Sequence, residues 1–577
     1  FVFLRPLGLR LPARRGVSAG GPAPAREAPG VVDPTPSAPR AARPQMGGGL
    51  AAALVGLGIL ASRILGLVRQ GTFSHYLGAG AAADAYNAAM RIPNFLQNLF
   101  GEGVLSASFI PVYARLLGRD EHEAADRVAG AVGVLLAIVT AVLTLGGILA
   151  TPLLVRTVAA GFDAPTRELT IQLVRIVFPG IGLLVGSAWC LGILNSHRRF
   201  LLSYLSPVAW NLTIIGALLW WGGRETDARL ATTLAWAAVA GSALQLLVQV
   251  PTVRRVAPAL RASLGGGDPH VREVLRGFGP VLVGRGVTQI SAYIDNSLAS
   301  LVGRGAVTIF TNAQTLYLLP GSLFGMAVTA AELPAMASLH GADDEVCAKL
   351  RERLARSLRR IAYFVIPSAA AFLALGDVIA GAVFGYGRFS PENVRWVWAT
   401  LAGSTVGLLA ATQGRLYAST FYALRDTRTP LRFALVRIGL NLVLGYLAAR
   451  HLPRIVGLDP RWGTVGLTAS AGLVGWLEFS LLRAALTRRV GAVRIPPAAT
   501  AKLWDAAARS APASWGAKLA VGAVGVPATG PGRLAVAAVV CGTFGAAYLA
   551  LTAALGEGES ATIVAKLKGR RGRRGRA

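Results

Sequence analysis

The sequence predicts an all-α membrane protein that crosses the bilayer many times. Hydrophobic residues make up 53% of its 577 residues, charged residues only 15%, and the mean hydropathy is +0.53. These values are too apolar for a soluble domain. The apolar runs recur about every 20 to 35 residues, which is the spacing of bilayer-spanning helices and their loops. Sixty-nine glycines suit the close helix packing that membranes favour.

The two ends of the chain differ in composition from the rest. Residues 1–45 are rich in Pro, Arg, Ala and Gly and have no apolar core of signal-peptide length. We interpret them as a disordered extension, with Met46 as the natural start. Residues 557–577 form a basic cytoplasmic tail. Such a tail beside a final span is more typical of contact with anionic lipid than of nucleic-acid binding.

About fourteen spans follow from the apolar runs. They cover residues 49–68, 82–114, 128–155, 168–194, 204–222, 230–253, 277–302, 306–339, 361–385, 396–424, 431–449, 463–482, 513–529 and 533–555. Connections after the even-numbered spans carry about twice as many Lys and Arg residues as the others, which predicts that they are cytoplasmic. Because the number of spans is even, both termini are expected on the cytoplasmic side of the inner membrane.

An internal repeat divides the chain. LFGEGV at 99–104 matches LFGMAV at 323–328, an offset of 224 residues. This predicts an N-lobe at 46–255 and a C-lobe at 256–490, each with six spans, followed by two extra spans within 491–556. Two repeats around a midplane cavity are typical of transporters. Chance similarity between Gly- and Ala-rich helices is the alternative for the repeat taken alone.

Polar side chains follow one face of the second span at steps of three and four residues. They are Asp84, Asn87, Arg91, Asn94, Asn98 and Glu102. At about 1.5 Å per residue the face is about 27 Å long, nearly the thickness of the hydrocarbon core. One Arg at the bilayer centre costs about 2.5 to 3.5 kcal/mol, so the face must line water or other polar helices. The alternative is a set of mutually paired side chains, such as Asp84 with Arg91, that holds helices together.

Further polar side chains lie within other apolar spans or at their ends: Arg63, Arg69, Arg285, Asp295 and Asn441. In the first lobe and at its border with the second, arginines modestly outnumber acids, which favours an anionic ligand. A guanidinium can donate two hydrogen bonds to a pyrophosphate at once. The chain has no zinc-protease, nucleotide-loop or serine-hydrolase motif. We therefore expect a transporter without a cofactor, and consider a membrane glycosyltransferase or phosphatase a distant alternative.

The stretch ASRILGLVRQGTFSHYLGAGAAADAYNAAMRIPNFLQNLFGEGVLSASFIPVYARL at 61–116 resembles the first two helices of the MurJ/MviN lipid II flippases of the MOP exporter superfamily. Further matches are GILNSHRRFLLSYLSPVAWN at 192–211, FGYGRFS at 384–390 and FYALRDTRTPLR at 421–432. The resemblance implies two lobes around a V-shaped cavity, with the last two spans forming a groove for a lipid tail. It also implies transport of lipid II, an undecaprenyl-pyrophosphate-linked disaccharide peptide, to the outer leaflet for cell wall biosynthesis.

The resemblance also assigns roles to single residues. Arg63, Arg69, Asp84, Arg91 and Glu102 match cavity positions of the family, and Asn94 and Asn98 share their face. In some relatives an acid of the seventh helix belongs to a sodium site; Asp295 resembles that acid, with Asn441 as a second ligand, and no metal site is certain. Coupling to Na⁺ or H⁺ and to the membrane potential is left open. The implied partners are lipid II, membrane lipids and the cell-wall synthesis machinery, with no nucleic acid.

The chain departs from the family at several positions. Gln70, Gln97, Asn98 and Thr315 are neutral where many relatives carry charged residues. We expect Arg285 to supply a compensating charge. Two alternatives stay open: another exporter of the superfamily that moves lipid-linked oligosaccharides or cationic drugs, and a non-transporting membrane scaffold derived from a flippase. A drug exporter should prefer an acidic cavity, against the basic excess here.

Overall fold

The structure is a computed structural model. It describes residues 48–562 and 565, apart from 101, 266, 326–327, 330–331, 333–335, 337–342, 494–496 and 524–529. Within these residues the chain is helical and has no β-strand, which confirms the all-α prediction. The described residues from 51 onward belong to one compact unit. The predicted disordered extension at 1–45 and the tail after 565 lie outside the described residues.

The helices of the N-terminal half are α1 (Gly48–Leu77), α2 (Ala81–Phe100), α3 (Glu102–Gly118), α4 (His122–Leu149), α5 (Thr151–Val158), α6 (Ala164–Val177), α7 (Pro179–Ser196), α8 (Phe200–Trp221) and α9 (Asp227–Val256). Those of the C-terminal half are α10 (Pro269–Ser300), α11 (Ala306–Pro320), α12 (Asp343–Phe384), α13 (Pro391–Thr405), α14 (Leu408–Ala423), α15 (Arg428–Arg450), α16 (Leu452–Val456), α17 (Gly463–Val490), α18 (Pro497–Ala523) and α19 (Gly530–Ala554). A π-helical turn, Gly321–Gly325, follows α11.

Several predicted spans are interrupted. The second span consists of α2 and α3, the fourth of α6 and α7, and the tenth of α13 and α14, which meet at an angle of 44°. Proline begins α7, and a glycine precedes α14; both residue types weaken a continuous helix. Apolar periodicity alone does not register such breaks, because the residues on both sides are equally hydrophobic.

Among the described residues, eight helices are long and apolar enough to cross a membrane, or nine if α13 and α14 form one bent span. The protein is therefore an integral membrane protein by the length and composition of its helices. The predicted number of fourteen is not confirmed. The hydropathy of α2 and α10 is lowered by their polar and charged side chains, which are the same residues that suggest a functional site.

The helix of the thirteenth predicted span begins earlier than the apolar run indicated. We predicted a span at 513–529, but α18 begins at Pro497, and residues 524–529 lie outside the described residues, so the predicted end stays a prediction. Its first half contains Lys502, Asp505 and Arg509, which hide the segment from a search for apolar runs. The same segment is rich in alanine, the residue with the highest helix propensity. The helices α18 and α19 pack on each other and on α12.

Small residues allow the closest helix contacts in the C-terminal half. A Cβ added to Gly407, before α14, would lie 2.5 Å from the Gly472 Cα of α17. A Cβ added to Gly463 at the start of α17 would lie 2.1 Å from the Ala449 carbonyl oxygen of α15. Helices whose backbones approach this closely gain van der Waals contacts with each other, which stabilise helix association in a membrane. The interface between the two halves includes α2 and α3 against α10 and α2 against α11.

Candidate functional site

Asp84 lies at the buried start of the polar face on α2. Its side chain is 1% exposed, and its Oδ2 accepts a hydrogen bond from the Gly305 amide at 2.5 Å. Its Oδ1 accepts two more from Thr308, one from the amide at 2.8 Å and one from the hydroxyl at 2.7 Å. These donors lie at the start of α11. A carboxylate there accepts hydrogen bonds from amides that have no partner within the helix, and its negative charge is stabilised by the helix dipole. In this structure Asp84 caps α11 and does not line an open chamber; its contact with a substrate stays a prediction.

The contact before α11 requires a glycine at position 305. Its φ of 86° lies in the left-handed region, which glycine adopts without steric cost. A Cβ at this position would lie 2.7 Å from the Ala79 carbonyl oxygen. The turn between α1 and α2 therefore touches the turn before α11, and a larger residue would force them apart.

Buried amides extend the contact between the two halves. Asn87 Nδ2 donates a hydrogen bond to Thr308 Oγ1 at 3.2 Å. On α1, Gln70 Nε2 donates to Asn312 Oδ1 at 2.8 Å, and Asn312 Nδ2 donates to Ser74 Oγ at 3.0 Å. The neutral amide of Gln70 therefore belongs to a network of uncharged side chains.

Arg91 occupies the middle of the polar face and is half-buried. Its Nε donates a hydrogen bond to Asn296 Oδ1 of α10 at 3.4 Å. Asn296 Nδ2 in turn donates to the Val158 carbonyl oxygen of α5 at 3.3 Å. No hydrogen bond or ion pair among the described residues joins Asp84 to Arg91; pairing that involves Glu102 lies outside the described residues. The hydrogen bond to Asn296 uses only the Nε of Arg91. Asn296 is uncharged, so it does not neutralise the positive charge of the guanidinium.

The remaining part of the face is more accessible. Asn94 is half-buried and Asn98 is exposed, and Asn98 Nδ2 donates to Gln289 Oε1 of α10 at 3.4 Å. The exposed end of the face is thus lined by amides from two helices. The side chains of Glu102 and Arg285 lie outside the described residues, so the predictions for them stay predictions.

The two arginines of α1 lie in different surroundings. Arg63 is exposed. Arg69 is half-buried, its guanidinium carbon lies 4.9 Å from the centre of the Trp210 ring of α8, and its Nε is buried without a hydrogen-bond partner in the described part of the chain. A cation over an indole face is attracted by the ring quadrupole. A common cavity of Arg63, Arg69 and Arg91 stays a prediction.

Asp295 and Asn441 meet, as the resemblance implies. Asn441 Nδ2 donates to Asp295 Oδ1 at 2.7 Å, between α10 and α15. Asn441 is 4% exposed, and its Oδ1 is buried without a hydrogen-bond partner among the described residues. A carboxylate and an unpartnered amide oxygen are oxygen ligands that suit a hard cation. No group of three His, Cys, Asp or Glu side chains suited to a metal occurs in the described residues.

Three partners of the polar face were missed by sequence reasoning: Asn296, Gly305 and Thr308, which belong to the C-terminal half. Helical periodicity shows which side of α2 is polar, but not which helix lies opposite. A usable signal was present. The repeat offset of 224 residues relates Asp84 to Thr308, and these two residues form direct hydrogen bonds.

Comparison with protein families gives a match over residues 73–523, to the family described as lipid II flippase MurJ. The chain belongs to the MurJ family. Curated MurJ relatives support the assignment over most of the chain. The probable lipid II flippase MurJ of Rhizobium meliloti is 30% identical over 443 residues, which are 76% of this chain and 80% of the relative. The lipid II flippase MurJ of Burkholderia cenocepacia is 31% identical over 437 residues, 74% of this chain and 82% of the relative.

Solved structures show the same fold. A lipid II flippase MurJ in an inward closed conformation superposes with a TM-score of 0.69 and 21% identity, over 87% of this chain and 98% of its own. An inward-facing multidrug resistance MATE family transporter of the MOP superfamily gives a TM-score of 0.58 and 19% identity, over 76% of this chain and 99% of its own. The predicted MurJ/MviN resemblance and MOP-type fold are confirmed. MurJ proteins are membrane transporters and not enzymes.

Proposed function

We propose that this protein transports lipid II from the cytoplasmic to the outer leaflet of the cytoplasmic membrane by alternating access, for cell wall biosynthesis. Membership of the MurJ family and the names of its curated relatives support the substrate. The predicted topology supports the direction, with both termini in the cytoplasm and the cell-wall synthesis machinery on the receiving side. The +30 formal charge is then largely a consequence of basic cytoplasmic loops.

The observation that carries the proposal is the gradient of exposure along the α2 face. Asp84 is buried against α11, Arg91 is half-buried beside α10, and Asn98 is exposed beside Gln289. A polar face that is closed at one end and accessible at the other fits one state of a carrier. The anionic head group would enter at the accessible end and meet Arg91, while the lipid tail remains in the bilayer.

Alternating access requires that the closed end open. The hydrogen bonds from Gly305 and Thr308 to Asp84 join α2 to α11, so they would break when the two predicted lobes separate. Their amide and carboxylate groups would then be exposed to water, which can replace the lost partners. The cost of opening is reduced in this way, because no buried polar group is left unsatisfied.

The energy source in this proposal is electrical and ionic. An inside-negative potential favours outward movement of an anion by about 2.3 kcal/mol per charge per 100 mV. A Na⁺ ion or a proton at Asp295, with Asn441 as its neighbour, would favour return of the empty carrier. Transport that is unaffected by both an imposed potential and the sodium gradient would exclude this coupling.

The deciding experiment is rescue of a flippase-depleted bacterium by residues 46–577. Growth supports lipid II transport, and the Arg91→Ala and Arg285→Ala variants should fail to rescue while remaining in the membrane. Arg119→Ala, an exposed arginine outside the polar face, serves as the matched control. Failure of the wild-type chain to rescue, despite membrane insertion, would contradict the proposal.

Binding of lipid II to the purified protein separates a transporter from a scaffold. We expect lipid II to bind, and Arg63→Ala and Arg91→Ala to weaken binding. A protein that binds a lipid-linked oligosaccharide but not lipid II would instead be another exporter of the superfamily. Absence of both interactions would favour the scaffold.

A further inference from the structure

A groove outside the polar face lies on the flank of the N-terminal half. Its floor is α7 with Gly182, Gly186 and Trp189, and its walls are α4 and α9, both of which pack on α7. The volume is about 420 Å³, within the range of about 300 to 1,000 Å³ for ligand pockets. Glycines create the space, because each omits a side chain that would otherwise fill it.

The groove presents almost no polar chemistry to an occupant. Trp189 Nε1 donates to the Ala129 carbonyl oxygen at 3.0 Å, and Thr140 Oγ1 donates to the Leu136 carbonyl oxygen at 2.8 Å. Apart from Arg261 at one end of the groove, these polar side chains of the lining are therefore satisfied by the backbone. An occupant gains nothing by presenting polar atoms there, and burial of a hydrocarbon chain is favourable.

The groove opens toward lipid. Its wall residue Ala137 is exposed, and the neighbouring outward positions of α4 and α9 are large and apolar: Val142 is 64% exposed and Leu247 is 61% exposed. Apolar side chains with this exposure, on helices long enough to span a bilayer, face acyl chains. A lipid chain can therefore enter sideways from the bilayer.

One end of the groove carries positive charge. Arg261 lies there, in the segment 257–268 that joins α9 to α10, and its side chain is exposed. Arg254 and Arg255 at the end of α9 and Arg127 near the start of α4 are exposed as well. None of the four forms an ion pair within the described residues. By the predicted topology this end is cytoplasmic, where anionic head groups concentrate.

We propose that this groove binds one acyl chain of an anionic phospholipid of the inner leaflet, with its phosphate at Arg261. The apolar lining selects hydrocarbon, and the basic end selects the charge of the head group. Because Gly130 of α4 packs directly on the Arg261 backbone, where an added Cβ would lie 2.0 Å from the carbonyl oxygen, the head group would lie on the connection between the two halves. The site is separate from the α2 face and does not depend on transport of lipid II.

Native mass spectrometry of the purified full chain, titrated with phosphatidylglycerol or phosphatidylcholine, tests the proposal. We expect preferential binding of phosphatidylglycerol. Ala137→Phe, which fills the groove from its exposed wall, should abolish tight binding of both lipids. Val142→Phe, an exposed position of the same helix outside the groove, should bind as the wild type does.

Arg261→Gln tests the head group without altering the packed groove. It should reduce the preference for phosphatidylglycerol over phosphatidylcholine about fivefold, the effect of one basic residue near a membrane surface, whereas Arg119→Gln should leave it unchanged. An unchanged preference in Arg261→Gln would overturn the head-group assignment. Wild-type binding by a folded Ala137→Phe, or displacement of phosphatidylglycerol by undecaprenyl phosphate at this groove, would overturn the proposal as a whole.

Discussion

Single side chains hold α2 against the C-terminal half, and Asp84 forms three of the hydrogen bonds involved. The spacing of polar residues on α2 identified this residue, because helical periodicity fixes the face on which a side chain lies. It did not identify the role, since a carboxylate that caps a neighbouring helix and one that lines a cavity produce the same spacing. Arg91 and Asn98 were predicted on the same face, and their partners on α10 were equally hidden from a one-helix pattern.

Replacement of Asp84 should be costly for both stability and transport. Asp84→Ala leaves the amides of Gly305 and Thr308 without their acceptor, which typically costs about 2 kcal/mol. We expect a lower thermal midpoint in detergent and loss of rescue of a flippase-depleted strain. Asp163→Ala is the control, because Asp163 caps α6 through a hydrogen bond from the Thr166 amide at 3.3 Å within one half. Equal rescue by both variants would argue against a special role for the contact between α2 and α11.

A second residue gives a pH-dependent prediction outside the membrane. Asp426, in the turn between α14 and α15, has a pKa below its ordinary value, chiefly because it accepts a hydrogen bond from the Thr429 amide. A lowered folded-state pKa means that the stabilisation is complete above the unfolded pKa of about 3.9. It is lost as the pH falls through the lower folded value. The difference in stability between wild type and Asp426→Asn should therefore be present at pH 7 and shrink below about pH 4, as measured by chemical unfolding; a difference that grows on acidification would contradict this.

At the scale of helices, sequence reasoning succeeded where apolar runs were long and failed where they were interrupted. The helices α8, α9 and α19 lie close to their predicted spans, because each is a nearly uninterrupted apolar segment. The breaks before α7 and α14 were missed, since hydropathy does not respond to backbone geometry. The early start of α18 was missed because its first turns are charged, although its alanine content favours a helix.

The contact between α18 and α12 includes an ion pair. Lys518 Nζ lies 2.6 Å from Asp377 Oδ2, and both side chains are about two-thirds to three-quarters buried. Removing one partner leaves the other charge without compensation, which is worse than removing both. We expect Lys518→Met and Asp377→Leu each to lower the thermal midpoint, and the double variant to be more stable than the sum of the two effects predicts.

The matched control for this cycle lies on the same helix. Arg509 and Asp505 of α18 form an exposed pair at 2.9 Å, and exposed pairs contribute about 0.5 kcal/mol or less. Their single and double variants should therefore differ little from wild type. Additive effects at Lys518 and Asp377 would mean that the pair does not hold the two helices together.

At the scale of the whole molecule, the two-lobe arrangement was predicted from a short repeat and stays a prediction. The contact of Asp84 with Thr308 supports it, because the two positions differ by the repeat offset of 224 residues. Residues that are equivalent under a two-fold operation meet only near its axis. Which end of the predicted cavity is closed could not be predicted, since hydrophobic patterns specify helices and faces but would be the same in every state of a carrier.

A cross-link across the closed end should arrest the transport cycle. Ser297 Oγ of α10 donates to the Thr157 carbonyl oxygen of α5 at 2.6 Å, so Thr157→Cys with Ser297→Cys places two thiols within reach of a disulfide or a short thiol cross-linker. We expect oxidation to abolish lipid II flipping in membranes and reduction to restore it. The control is Glu225→Cys with Thr233→Cys, a pair joined by a 2.8 Å hydrogen bond within the N-terminal half, where cross-linking should not matter. Continued flipping by the cross-linked first pair would contradict alternating access at this end.

The contact between Asp84 and Thr308 also bears on the origin of the molecule. If the halves descend from one duplicated ancestor that paired with itself, the same residue would have faced its own copy at the junction. Two carboxylates there would repel each other, and two threonines would offer the helix amides only uncharged hydroxyl acceptors. Two halves within one chain can differ in sequence, so an acid in one half can meet a hydroxyl donor in the other, a pairing that two identical residues at this position could not form.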